Sequence, residues 1–101
     1  MTDKGATLLK LRCLNIDESE KEAYFLGYPM RLTPTEFKIL YEIAQAESID
    51  VDNLSIRCGL AELSRGNISV HICAINRKAE MIGKRKLILF KDSNYCLNEF
   101  M

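Results

Sequence analysis

The residues of this 101-residue chain with the widest chemical range are four cysteines and one histidine, and their spacing limits what they can do. Cys13, Cys58, Cys73 and Cys96 stand far apart, none of them in a Cys-x-x-Cys pair, and His71 has no second histidine to work with. A zinc site draws on about four ligands, at least two of them usually close in sequence, so no metal site is expected. No nucleophile, carboxylate or thiol stands at a useful spacing from His71 for covalent or acid–base catalysis. The expectation is a chain that is not an enzyme, with no cofactor and no small-molecule substrate. Most of the cysteines read as small buried hydrophobes, kept reduced in the cytoplasm. His71 reads as a partly buried residue or as a contact to a phosphate.

Charge points to a different chemistry. The net charge is zero, but residues 1–50 carry −3 and residues 51–101 carry +3. Within 65–91, Arg65, Arg77, Lys78, Lys84, Arg85, Lys86 and Lys91 face the lone Glu80, a local charge of +6. Such a basic half beside an acidic half suits a polyanionic partner, whose phosphates lysine and arginine neutralise. A solvated basic face is the alternative, and for Lys84-Arg85-Lys86 a solvated loop fits equally well. At 48% hydrophobic and 28% charged, the chain reads as one ordinary globular domain over 1–101 rather than a disordered segment. No apolar run approaches the ~20 residues of a membrane span, and the N-terminus lacks the apolar stretch of a signal peptide. The expected location is cytoplasmic, away from membranes.

The elements that position these side chains are announced by caps and periodicity. Residues 7–32 read as a small antiparallel sheet. Leu9, Leu11 and Cys13 alternate with Lys10 and Arg12, and Asp17 to Lys21 turns. Ala23 to Leu26 and Met30 to Leu32 then flank Gly27-Tyr28-Pro29. Thr33, Pro34 and Glu36 form a capping box that opens a helix over 34–45, with Leu32 and Phe37 as its hydrophobic staple. Phe37, Leu40, Tyr41 and Ala44 share its apolar face. Asp50 caps a short helix over 51–58, stapled by Ile49 and Leu54, with Val51, Leu54 and Cys58 inward and Gly59 as a left-handed stop. A third helix runs from a cap near Ser64 over 65–82 to Gly83. Its buried stripe is Ile68, Ile72, Ile75, Ala79 and Ile82, and its outward face is Val70, Cys73, Ala74, Arg77 and Met81. Residues 86–98 read as a hairpin, with Lys86 to Phe90 and Tyr95 to Asn98 extended and Lys91 to Asn94 turning between them. The fold class is therefore α+β: an N-terminal antiparallel sheet, a three-helix core over 33–82 and a C-terminal hairpin, the makings of a winged helix-turn-helix. Phe37, Leu40, Leu54, Ile68, Ile72, Ile75 and Leu97 are expected to be buried together.

Two stretches carry a family resemblance. Leu32-Thr33-Pro34-Thr35-Glu36-Phe37-Lys38-Ile39-Leu40 resembles the start of the first helix in the OmpR/PhoB effector domains of bacterial response regulators. Ile68-Ser69-Val70-His71-Ile72 resembles that family's Val-Asp-Val-His-Ile recognition-helix stretch, and Asn94-Tyr95 sits where its wing ends in Gly-Tyr. The likeness spans about residues 9–98. It implies a transcription regulator of the two-component type that binds double-stranded DNA, with the third helix in the major groove and the hairpin as a wing. Carried over residue by residue, it places Arg65, Asn67, His71, Cys73, Ala74, Asn76, Arg77 and Lys78 on the recognition helix and Lys91 at the wing arginine. The family usually has arginine where Cys73, Ala74 and Asn76 stand, and glycine where Asp92 and Asn94 stand. Gly66 falls in the first turn of the third helix. The family's receiver domain has no counterpart within these residues. The apolar outward face of the third helix keeps a second reading open, a protein-interaction module with a partner protein or a second copy.

Overall fold

The computed structural model describes residues 8–11, 14–59 and 65–98. The fold is α+β, with three helices and two small antiparallel sheets among the described residues.

The first sheet is a meander of β1 (Leu8–Leu11), β2 (Leu14–Asp17), β3 (Glu22–Phe25) and β4 (Tyr28–Pro29). Leu14 pairs with Phe25 and Ile16 with Ala23, and all four side chains are buried, so one face of the pleat feeds the core. Two boundaries differ from expectation. Asp17 belongs to β2, and its carboxylate accepts from Ser19 Oγ at 2.8 Å and from the Glu20 N–H at 3.2 Å to start the turn. Met30–Leu32 is not a strand. Leu26 and Gly27 take φ of 55° and 86°, the two left-handed residues of a tight hairpin turn, so the short strand is Tyr28–Pro29 instead. Arg31, at φ 57°, then breaks the extended run before the first helix.

Helix α1 (Pro34–Ala46) has the expected capping box. Glu36 N–H donates to Thr33 Oγ1 at 3.2 Å, and Thr33 N–H donates to Glu36 Oε1 at 3.1 Å. Ile39 and Ile43 are buried along with Phe37, Leu40 and Ala44, because α1 lies against helix α2 (Val51–Arg57), helix α3 (Arg65–Gly83) and the second sheet at once. Tyr41 donates to Glu18 Oε1 at 3.2 Å and ties α1 to the β2–β3 turn.

The second sheet corrects the expected layout. Ser48–Asp50, expected as a loop and cap, forms β5, which pairs with β7 (Asn94–Leu97), and β7 pairs in turn with β6 (Ile88–Lys91). The C-terminal hairpin is thus two strands of a three-stranded sheet in the order β5-β7-β6. Three residues are too short to show a strand's period, and Ile49, read as a staple, is the buried residue of β5. The hairpin's loop is Asp92-Ser93 alone, with φ of 54° and 66°. Lys91 and Asn94, expected in the turn, are a cross-strand pair. Asp50 caps α2 by accepting from Asn53 N–H at 3.2 Å, and Gly59 follows at φ 69°. The expected cap of α3 at Ser64 lies outside the described residues. At its other end the left-handed residue is Lys84, φ 61°, and not Gly83. Gly83 has a packing role: a Cβ there would sit 2.7 Å from Phe25 Cε2 and 2.8 Å from Leu26 Cδ1.

Of the expected core, Phe37, Leu40, Leu54, Ile68, Ile72 and Ile75 are buried in one cluster, and Leu97 packs against it half-buried. Among the described residues no helix is long and apolar enough to cross a membrane.

Candidate functional site

Helix α3 is built two-faced. Ile68, Ile72, Ile75 and Ala79 recur every three or four residues and face the core, which leaves Val70, Cys73, Arg77 and Met81 exposed on the far side, with Ala74 half-buried between them. The second sheet packs beside this helix, and the two enclose an open groove of about 610 Å³. Ser69, Cys73 and Asn76 line one wall; Lys86, Phe90 and Lys91 line the other. Two lysines and no carboxylate stand among the lining residues. Phe90 is 61% exposed and rests on its cross-strand partner Tyr95, ring centroids 4.9 Å apart.

The groove's walls are joined by one amide. Leu87 N–H and Ile88 N–H donate to Asn76 Oδ1 at 2.9 and 2.8 Å, and Asn76 Nδ2 donates to the Ile88 carbonyl at 3.0 Å. At the foot of the hairpin, Asn98 N–H donates to the Leu87 carbonyl at 2.8 Å, and Asn98 Nδ2 donates to the Lys86 carbonyl at 3.0 Å.

The structure sorts the residues expected at the site into three groups. Cys73, Asn76 and Lys91 meet at the groove, and Arg77 lies exposed one turn beyond Cys73. Asn67 is exposed near the start of the helix, while the side chain of Arg65 lies outside the described residues. Lys78 and His71 are placed differently. Lys78 Nζ donates to Glu36 Oε1 at 2.7 Å and to the Arg31 carbonyl at 3.0 Å, so it staples α3 to the start of α1. Burial alone would push the Glu36 carboxyl up; the Lys78 ammonium and the Thr33 N–H outweigh it and hold the pKa below its ordinary value. His71, half-buried, adds a smaller attraction in the same direction.

Sequence reasoning had no means of placing Ser69 and Phe90 at the groove, and it left Lys86 in a solvated loop as readily as at a site. The only signal for Lys86 was its place in the +6 segment. For Phe90 there was none, since an aromatic in a strand reads first as core. Among the described residues Cys58, Cys73 and Cys96 are free thiols, and no cluster of three or more His, Cys, Asp or Glu side chains is placed to hold a metal ion. Cys58 is buried beside the negative Glu42, and its thiol is pushed up to about 11, chiefly by burial. A comparison with models of known protein families matches none, and a search of the curated proteins finds no match to the chain.

Proposed function

We propose that the chain is a winged-helix module that binds duplex DNA, a transcription regulator similar to OmpR/PhoB effector domains. In this reading α3 enters the major groove, whose width admits one helix, and the β6–β7 hairpin is the wing. The observation that carries it is the groove between α3 and the hairpin, flanked by Lys86 and Lys91, without a carboxylate in its lining and with Arg77 exposed nearby. A sugar–phosphate strand following the groove would meet these cations, while Ser69, Cys73 and Arg77 face the bases. Neutralised phosphates release condensed counterions, so log affinity falls with log salt at a slope of about −0.9 per contact. Asn76 and Lys78 are left out of this interface, because their polar atoms are engaged with the hairpin and with Glu36.

The test is fluorescence anisotropy of a labelled duplex titrated with the full chain over a range of salt. Lys86→Ala and Lys91→Ala should each flatten the salt slope by about one unit and weaken all sequences alike, whereas Arg77→Ala should cost about 1–3 kcal/mol at one base position. Cys73→Arg and Ala74→Arg should raise affinity by adding cations to the face of α3. The reading falls if the chain shows no salt-dependent binding at low ionic strength and neither arginine variant gains any. Protein contact then becomes the better reading, since Val70, Met81 and Phe90 are 66%, 80% and 61% exposed.

A further inference from the structure

We infer that Asn76 is the positioning residue of this groove: it touches no ligand, and it locks the hairpin at the angle where Lys86 and Lys91 meet what α3 holds. The functional half of this rests on the DNA-binding reading above; the structural half rests on the hydrogen bonds alone. Among the described residues strand β6 is the outer strand of its sheet, paired only to β7, while β7 is held from its other side by β5. The hairpin's register therefore survives without help from α3, but its angle to α3 does not follow from that register. At the foot of β6, two N–H groups and one carbonyl point at α3, and a single side chain satisfies all three. The residues that bear these groups, Leu87 and Ile88, are 0% and 2% exposed, so water has little access to replace the lost partners. The chemistry selects asparagine. The position needs an acceptor shared by two donors and a donor beside it, on a stem too short to swing. Arginine, which the resembled family usually has here, offers donors only and cannot accept from the two N–H groups. The residue that reads as a lost contact is, in this chain, the joint between the two arms.

The test takes the full chain with Asn76→Ala, Asn76→Asp, Lys91→Ala and the Asn76→Ala/Lys91→Ala pair. Amide hydrogen exchange followed by NMR reads the joint directly. In Asn76→Ala the Leu87 and Ile88 amides should exchange at least about tenfold faster, while Tyr95, whose N–H faces β5, keeps its protection. Asn76→Asp keeps the acceptor and loses the donor, so both amides should stay protected, and this variant decides the matter if the alanine variant does not fold. Unchanged exchange in Asn76→Ala, or protection lost in Asn76→Asp, overturns the joint whatever DNA does. Duplex titration reads the consequence. Asn76→Ala should weaken binding about tenfold and flatten the salt slope although it removes no charge. Lys91→Ala should then cost little more on top of it. Additive effects of the two substitutions, with the slope unmoved by Asn76→Ala, would show an inert structural amide and sink the positioning role. Absence of duplex binding by the unaltered chain defeats the DNA reading and the functional half of this proposal, while the exchange result still judges the joint.

Discussion

Glu36 has two duties that sequence shows unequally. Its place three residues after Thr33 announces the capping box, and the structure has that box. Its second partner, Lys78, lies 42 residues away and was read from the sequence as a DNA contact, because nothing local links the two. The pairing has a pH signature. A carboxylate whose pKa is lower in the fold than in the unfolded chain contributes stability that is full above its unfolded value, near 4.3. That stability is lost as pH falls through the folded value. Urea midpoints should therefore drop below about pH 4, with Glu36→Gln flattening that part of the profile. Lys78→Ala should cost about 1–3 kcal/mol, by leaving a buried carboxylate short of a partner, and should not change the salt slope of DNA binding. Cysteine reactivity separates in the same way by environment. Cys73 is exposed, whereas Cys58 is buried with its thiol pushed up to about 11. A maleimide at neutral pH should modify Cys73 in the folded chain and Cys58 only after unfolding, as peptide mass spectrometry would resolve.

At the scale of elements, helix ends were legible where the capping side chain is local and misread where packing decides. Thr33 and Asp50 act through hydrogen bonds within three residues of themselves, and both caps formed as expected. The end of α3 is different. Gly83 reads as its stop, but the left-handed residue there is Lys84, and Gly83 is needed for the close approach of Phe25. Gly83→Ala should therefore destabilise the fold by about 1–3 kcal/mol through overpacking against a side chain that is 1% exposed. Lys84→Gly should stabilise it by about 0.5–1 kcal/mol, the left-handed strain relieved less the chain entropy that glycine adds. Chemical denaturation of the two variants checks these roles, and Lys84→Gly destabilising alongside Gly83→Ala would mean that the stop is Gly83 after all.

At the scale of the whole molecule, α1 is the hub, in contact with both other helices and the second sheet, and α3 is the wall between core and groove. Ile72 belongs to the core and also lines the groove floor. Ile72→Ala should cost about 2–5 kcal/mol from lost burial and the cavity left behind; a loss under about 1 kcal/mol would mean that α3 faces the other way. The sequence by itself determined the α+β class, the three helices nearly to their ends and the inward face of α3, because caps and a 3.6-residue period are local properties of the chain. It also located the basic segment. Only the tertiary structure decided that β5 joins the hairpin, that Lys78 turns inward to Glu36 and that Asn76 binds the hairpin rather than solvent. Each of these is a contact between residues 11 or more positions apart, two of the three more than 40. Partners at such separations are chosen by how packed elements meet, and a one-dimensional pattern carries no record of that meeting.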